Sequence, residues 1–153
     1  MPTTAAQAAV ATGTVVKTML QISTPATKPI LIIAWGYSID AAQSGVVELL
    51  ETDVAATVTA HVASGVQPQA TGQAASLVTL GTANTGYTAT GEGVITATRV
   101  FDVSPETATV DLQDFRYQFM PDERPLVAVS KFLRIRATFG TTVNMRCWCT
   151  WDE

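Results

Sequence analysis

Two runs of alternating apolar and polar residues near the end of the chain constrain its fold most strongly. Along residues 131–139, leucine, isoleucine, alanine and phenylalanine occupy every second position. Along residues 143–151, every odd position is again apolar. A period of two places such residues on one face of a β-strand. Both runs therefore predict strands with one buried face, and the short connection at residues 140–142 predicts a hairpin between them.

Several other segments have the length and composition of strands. Residues 30–39 are apolar on both faces, which is typical of a central strand. About eight strands separated by short turns predict an all-β protein, namely a β-sandwich with jelly-roll topology as the most specific expectation. The remaining predicted strands cover residues 15–22, 46–51, 93–101, 115–120 and 126–129.

One segment, residues 53–63, favours a helix. Val54, Val58 and Val62 recur at intervals of four, and either Thr52 or Asp53 could cap the N-terminus of the helix. Two threonines inside the segment oppose this interpretation because β-branched residues are weak helix formers. We expect one short helix near residues 53–63.

The ends and the middle of the chain predict its domain organisation. Residues 1–14 form an uncharged tract rich in alanine and threonine, which is typical of a flexible N-terminal arm. Residues 15–153 are expected to form a single β-sandwich domain. Within it, residues 67–90 have few apolar anchors and predict a long contact loop.

The composition excludes several classes of protein. Only 14% of the residues are charged, whereas an ordinary soluble domain has about 25%. The net charge of −4 opposes nucleic-acid binding, which requires a basic surface. No apolar run approaches the roughly 18 residues of a membrane span, and no secretory signal is visible, so we expect synthesis in a cytoplasm and no membrane partner.

The residues that usually carry catalysis or metal binding do not form a recognisable constellation. His61 is the only histidine, so neither a catalytic triad nor a histidine metal site is expected. Cys147 and Cys149 are two residues apart on a strand, a spacing typical of buried small hydrophobes rather than of a disulfide or zinc site. Glu48 and Glu51 alternate to opposite strand faces. The sequence therefore predicts no enzyme activity, no cofactor and no metal.

The polar faces of the last two strands carry arginine and aromatic residues, which protein–protein contacts favour. If the two strands pair, these side chains form one outward patch, whose alternative interpretation is an ordinary exposed sheet face. Tyr87 is the aromatic side chain offered by the long loop. The candidate partner-contact residues are Phe132, Arg134, Arg136, Arg146, Trp148 and Tyr87.

Several stretches, taken in order, resemble the capsid decoration (cement or head-stabilising) proteins of tailed bacteriophages. The similarity extends from about residue 17 onward. These are strand sequences rather than catalytic motifs. They comprise GVVELLETD at residues 45–53, GYTATGEG at 86–93, ITATR at 95–99, KFLRIR at 131–136 and the terminal CWCTW at 147–151.

The resemblance implies a virion protein on the capsid surface, made in the host cytoplasm. Such a protein is often a homotrimer that binds assembled major capsid protein and stabilises the shell by bridging capsomers. No catalytic, metal-binding or cofactor-binding residues come with the family. The main alternative is a carbohydrate- or receptor-binding jelly roll such as a tail-fibre tip, which would require an exposed aromatic platform in the long loop. A hydrolase or cupin-like enzyme is a third hypothesis, which the single histidine opposes.

Overall fold

The described part of the chain is built from β-strands. The computed structural model describes residues 2–5, 10–62, 65–107 and 113–153. Within these residues there are thirteen strands, numbered in chain order: β1 (Pro2–Ala5), β2 (Val10–Ala11), β3 (Lys17–Ser23), β4 (Ile30–Ile39), β5 (Gly45–Thr52), β6 (Thr57–Ala60), β7 (Val66–Pro68), β8 (Gly86–Gly91), β9 (Thr98–Glu106), β10 (Gln113–Gln118), β11 (Leu126–Val127), β12 (Phe132–Phe139) and β13 (Asn144–Asp152).

The strands build two antiparallel sheets. The seven-stranded sheet has the order β10-β4-β13-β1-β7, with β11 also paired to β4 and β2 also paired to β13. The six-stranded sheet has the order β6-β8-β3-β12-β5-β9. One core of buried side chains from both sheets lies between them. These features confirm the all-β sandwich, whereas the jelly-roll topology stays a prediction.

The alternation in the last two strands gives the burial pattern that it predicts. In β12 the odd positions from Leu133 to Phe139 are buried, and in β13 the odd positions from Met145 to Trp151 are buried. They pack against β4, whose Trp35 is fully buried. The central position predicted for residues 30–39 is confirmed, because β4 pairs with β10 and β11 on one side and with β13 on the other.

The predicted hairpin between β12 and β13 is wrong. β12 pairs with β3 and β5 in the six-stranded sheet, and β13 pairs with β1, β2 and β4 in the seven-stranded sheet. Residues 140–142 therefore cross from one sheet to the other. A short connection permits either geometry, and burial of both apolar faces in a common core favours the crossing.

The predicted helix at residues 53–63 is also wrong. The described residues of this segment contain strand β6, which pairs with β8, and no helix. Thr57 and Thr59 face outward and Val58 is buried, which is the period of a strand. Among the described residues, no helix is long and apolar enough to cross a membrane.

Two described parts of the segment expected as an arm, residues 1–14, are β-strands. Strand β1 pairs with β13 and β7, and β2 pairs with β13. The backbone groups of these two short strands are thus hydrogen-bonded within this chain's own sheet. The long loop is shorter than expected, since β7 extends to Pro68 and β8 begins at Gly86.

Candidate partner-contact surface

The candidate residues on the last two strands do not form one patch. Arg134 and Arg136 lie on the outer face of the six-stranded sheet, while Arg146 and Trp148 lie on the outer face of the seven-stranded sheet. The two outer faces of a sandwich point in opposite directions, about 10 Å of packed core apart. The prediction of a single patch is therefore wrong, and its physical reason is the crossing connection at residues 140–142.

Arg134 is fully buried, contrary to its predicted exposure. Its guanidinium donates hydrogen bonds to the backbone and the carboxylate oxygen Oε2 of Glu92, both at 3.2 Å, and to the carbonyl of Val54. Glu92 also accepts a 2.6 Å hydrogen bond from the Thr18 hydroxyl. Burial lowers the pKa of Arg134, while the Glu92 carboxylate acts in the opposite direction. Arg134 therefore holds two loop segments over its own sheet and is not available to a partner.

The neighbours of Arg134 on β12 are half-buried. Arg136 donates to Glu48 Oε2 at 3.0 Å, so its charge is already paired within the chain. Phe132 lies opposite Ser23 and Thr52, which are its cross-strand partners on β3 and β5. This face consequently offers a partner less free charge than the sequence pattern indicates.

The carboxylates near β5 have separate partners. Glu48 pairs with Arg136, Glu51 pairs with Arg99 at 3.0 Å, and Asp53 accepts hydrogen bonds from Thr96 and Ala97. The hydrogen bonds from Thr96 and Ala97 lower the pKa of Asp53 to about 2. Among the described residues, no group of three or more histidine, cysteine, aspartate or glutamate side chains is placed to hold a metal ion.

The two cysteines are fully buried thiols in the core. Burial raises the pKa of Cys147 to about 12 and raises the pKa of Cys149 as well. A thiol is a nucleophile or a metal ligand only as the thiolate. At neutral pH both cysteines are therefore inert side chains that fill the core.

Tyr87 lies on β8 rather than in an open loop. It is half-buried, and its ring centroid is 5.3 Å from that of His61. His61 is buried, and a side chain at Gly65 would meet its ring, since an added Cβ would lie 2.5 Å from Nδ1. This packing reduces the area of Tyr87 that an incoming ring could stack on.

The burial of His61 predicts a pH-dependent stability. Burial lowers the pKa of His61, so the folded chain binds a proton there less readily than the unfolded chain does. The stabilisation is complete above the unfolded pKa of about 6.5 and is lost as pH falls through the lower folded value. Urea unfolding between pH 8 and pH 5 should show a decreasing free energy of unfolding. Because His61 is the only histidine, His61→Phe should remove most of this slope, and an unchanged slope would contradict the assignment.

The outer face of the seven-stranded sheet carries the most distinctive group of accessible side chains. We call it the Trp148 face and define it by Arg146 and Trp148 on β13, Gly36 and Ser38 on β4, and Arg116 on β10. In register, Gly36 lies between Trp148 and Arg116, and Ser38 lies between Arg146 and Asp114. Arg146 is exposed, Trp148 is half-buried, and Arg116 pairs with Asp114 at 3.1 Å.

Gly36 determines how Trp148 lies on the sheet. A Cβ atom at position 36 would lie 2.6 Å from Trp148 Cζ2 and 2.5 Å from the Phe115 carbonyl oxygen. The indole ring therefore packs directly on the backbone of the central strand. Sequence reasoning missed Gly36 and Arg116, although an isolated glycine inside a strand signals a close approach to its backbone.

A shallow groove of about 320 Å³ lies near the end of β13. Its wall includes Lys28, Leu77 and Glu153. The Glu153 carboxylate accepts hydrogen bonds from the Leu77 backbone at 2.7 Å and from Trp151 Nε1 at 2.9 Å. The carboxylate is thus engaged in attaching the loop after β7 to β13.

Comparison of the chain with models of protein families, with curated proteins and with solved structures finds no match in any of the three.

Proposed function

We propose that this chain is a structural virion protein that binds the outside of an assembled phage capsid and stabilises it by bridging capsomers. The observation that carries the proposal is the Trp148 face, where an accessible tryptophan packs on the backbone of Gly36 and shares the face with Arg146 and Arg116. Tryptophan and arginine dominate the binding energy of protein interfaces. The resemblance to decoration proteins supports the same role.

The low charge of the chain supports a protein built for repeated contacts. With 24 threonines and 22 alanines but few charges, its surface is less costly to desolvate than a typical charged surface.

A homotrimer that touches several capsomers would combine weak contacts into strong attachment, because the second and third contacts form at high effective concentration. Native mass spectrometry measures the assembly directly, and a monomer at micromolar concentration would contradict the trimer.

The carbohydrate-binding alternative has weaker support. It requires an exposed aromatic platform in the loop between β7 and β8, and Tyr87, the aromatic residue expected there, lies on β8 against His61. Trp148 is accessible, but charged arginines flank it on a flat face rather than in a concave site. A glycan array with reproducible hits that Trp148→Ala abolishes would favour this alternative.

Replacement of Trp148 by alanine should weaken attachment without unfolding the protein. We expect at least a tenfold loss of affinity for capsids assembled from the major capsid protein of the source phage, since an interface tryptophan contributes about 2 kcal/mol or more. Co-sedimentation of purified protein with these capsids measures the affinity. The free energy of unfolding should fall much less, because the ring is only half-buried.

Tyr117→Ala is the matched control for this experiment. Tyr117 is 41% exposed on β10 and lies opposite Trp35, so it points away from the Trp148 face. We expect it to retain full binding. If the wild-type protein does not sediment with the capsids, the proposed function is lost; if both variants bind like the wild type, the Trp148 face is not the attachment surface.

A further inference from the structure

One arginine of the Trp148 face has no ion pair among the described residues. In the described part of the chain four arginines form ion pairs, namely Arg99, Arg116, Arg134 and Arg136. Arg146 forms none there and is exposed. It therefore differs from Arg116 on the same face, whose charge is balanced by Asp114. The Arg146 guanidinium therefore has no carboxylate partner among the described residues.

The geometry of the face places this charge beside an apolar contact. Arg146 and Trp148 are two residues apart on β13, so their side chains emerge on the same side at a separation of about 7 Å. Two carboxylates lie near Arg146 on this face. Asp40, directly after β4, accepts a 2.6 Å hydrogen bond from the side chain of Asn144, two residues before Arg146 on β13. Asp114 lies two strands away beyond Ser38 and is paired with Arg116. Neither carboxylate forms an ion pair with Arg146.

The surface of β4 beside Arg146 and Trp148 carries small side chains. The outward residues of β4 at this level are Ala34, Gly36 and Ser38, which are the smallest side chains that a strand can present. The backbone of a partner can approach such a surface closely, and the partner's side chains can then contact Arg146 and Trp148. The face thus suits an extended protein segment better than a rounded surface.

We infer that the partner that docks on the Trp148 face presents an aspartate or glutamate carboxylate to Arg146 and an adjacent apolar group to Trp148. A guanidinium binds a carboxylate through two parallel N–H···O bonds, which gives both orientation and affinity. This inference rests on the proposed function, since it names the chemistry of the capsid surface that the protein would contact. Phosphate groups share the affinity for arginine, but a nucleic acid would be repelled by the net negative charge.

The test compares capsid co-sedimentation of the wild type, Arg146→Lys and Arg146→Glu at low and high salt. We expect Arg146→Glu to lose more than tenfold in affinity and Arg146→Lys to lose less, because lysine keeps the charge but not the paired N–H groups. High salt should weaken the wild type more than it weakens Arg146→Glu. Lys28→Glu makes the same change of charge on an exposed turn residue away from this face and should bind normally.

The outcomes separate this inference from the proposed function. If the wild type binds capsids and Arg146→Glu binds equally well, the carboxylate partner is wrong while capsid attachment stands. If the wild type does not bind capsids at all, both the carboxylate partner and the proposed function are wrong. Circular dichroism checks the folding of each variant, and Arg146→Gln replaces Arg146→Glu if the latter is unfolded. Inhibition of binding by millimolar phosphate at constant ionic strength, without any effect of carboxylate-rich polyglutamate, would overturn the inference in favour of a phosphate-bearing partner.

Discussion

Replacing Trp35 by alanine should lower the free energy of unfolding by about 4 kcal/mol, within the range known for large-to-small substitutions of buried aromatic residues. Trp35 is fully buried in the central strand β4. Its ring lies 5.0 Å from that of Phe115 and 5.8 Å from that of Tyr37. The truncation opens a cavity among these rings and removes the 3.0 Å hydrogen bond from Nε1 to Asp102, which connects the two sheets.

Urea denaturation followed by circular dichroism measures this loss. Trp35→Phe keeps an aromatic ring but removes the hydrogen bond to Asp102. Its free energy of unfolding should therefore lie between those of the wild type and Trp35→Ala. Met120→Ala serves as the control, because Met120 is 61% exposed and should change stability by less than about 0.5 kcal/mol. A loss below about 1 kcal/mol for Trp35→Ala would mean that β4 does not form the centre of the core.

The sequence predicts the faces of the strands well but not their neighbours. The period of two in β12 and β13 identifies every buried odd position from Leu133 to Phe139 and from Met145 to Trp151. It does not identify the partner strand, because a strand with one apolar face fits either sheet of a sandwich. The assumption that consecutive strands pair therefore leads to the incorrect hairpin.

The helix assigned to residues 53–63 fails for a related reason. A spacing of four residues, as for Val54, Val58 and Val62, is one turn of a helix but also an even number of strand positions. The pattern is therefore compatible with both structures. Pairing with β8 and the bonds between the Gln21 side chain and the Ala56 backbone, at 2.8 and 3.0 Å, favour the strand in the folded chain.

The candidate surface was predictable only in part. Arg146 and Trp148 are accessible, as their polar alternation indicates. The contribution of Gly36 depends on the pairing of β4 with β13, which brings together residues more than one hundred positions apart. The burial of Arg134 similarly depends on Glu92 and Val54, which are 42 and 80 positions away in the sequence. No local pattern therefore predicts it.

Replacing Arg134 by alanine should lower the free energy of unfolding by about 3 kcal/mol, the low end of the range for breaking a buried ion pair. The low end applies because the side chain of Glu92 keeps 27% of its exposure, whereas that of Arg134 has none. Without the guanidinium, the Val54 carbonyl loses the Arg134 hydrogen bond and the Glu92 carboxylate loses its counter-charge. Each loss destabilises the covering of the six-stranded sheet.

Two variants make this prediction specific. Arg146→Ala removes the same side chain from an exposed position on the other sheet, so urea denaturation should show a change below about 0.5 kcal/mol. The double variant Arg134→Met with Glu92→Gln removes both charges and keeps the volume, so it should be more stable than Arg134→Ala. Equal losses of unfolding free energy for Arg134→Ala and Arg146→Ala would contradict the burial of Arg134. Arg134 would then again be a candidate contact residue. A loss confined to Arg134→Ala would instead assign Arg134 to the stability of the fold and leave Arg146 without a structural role.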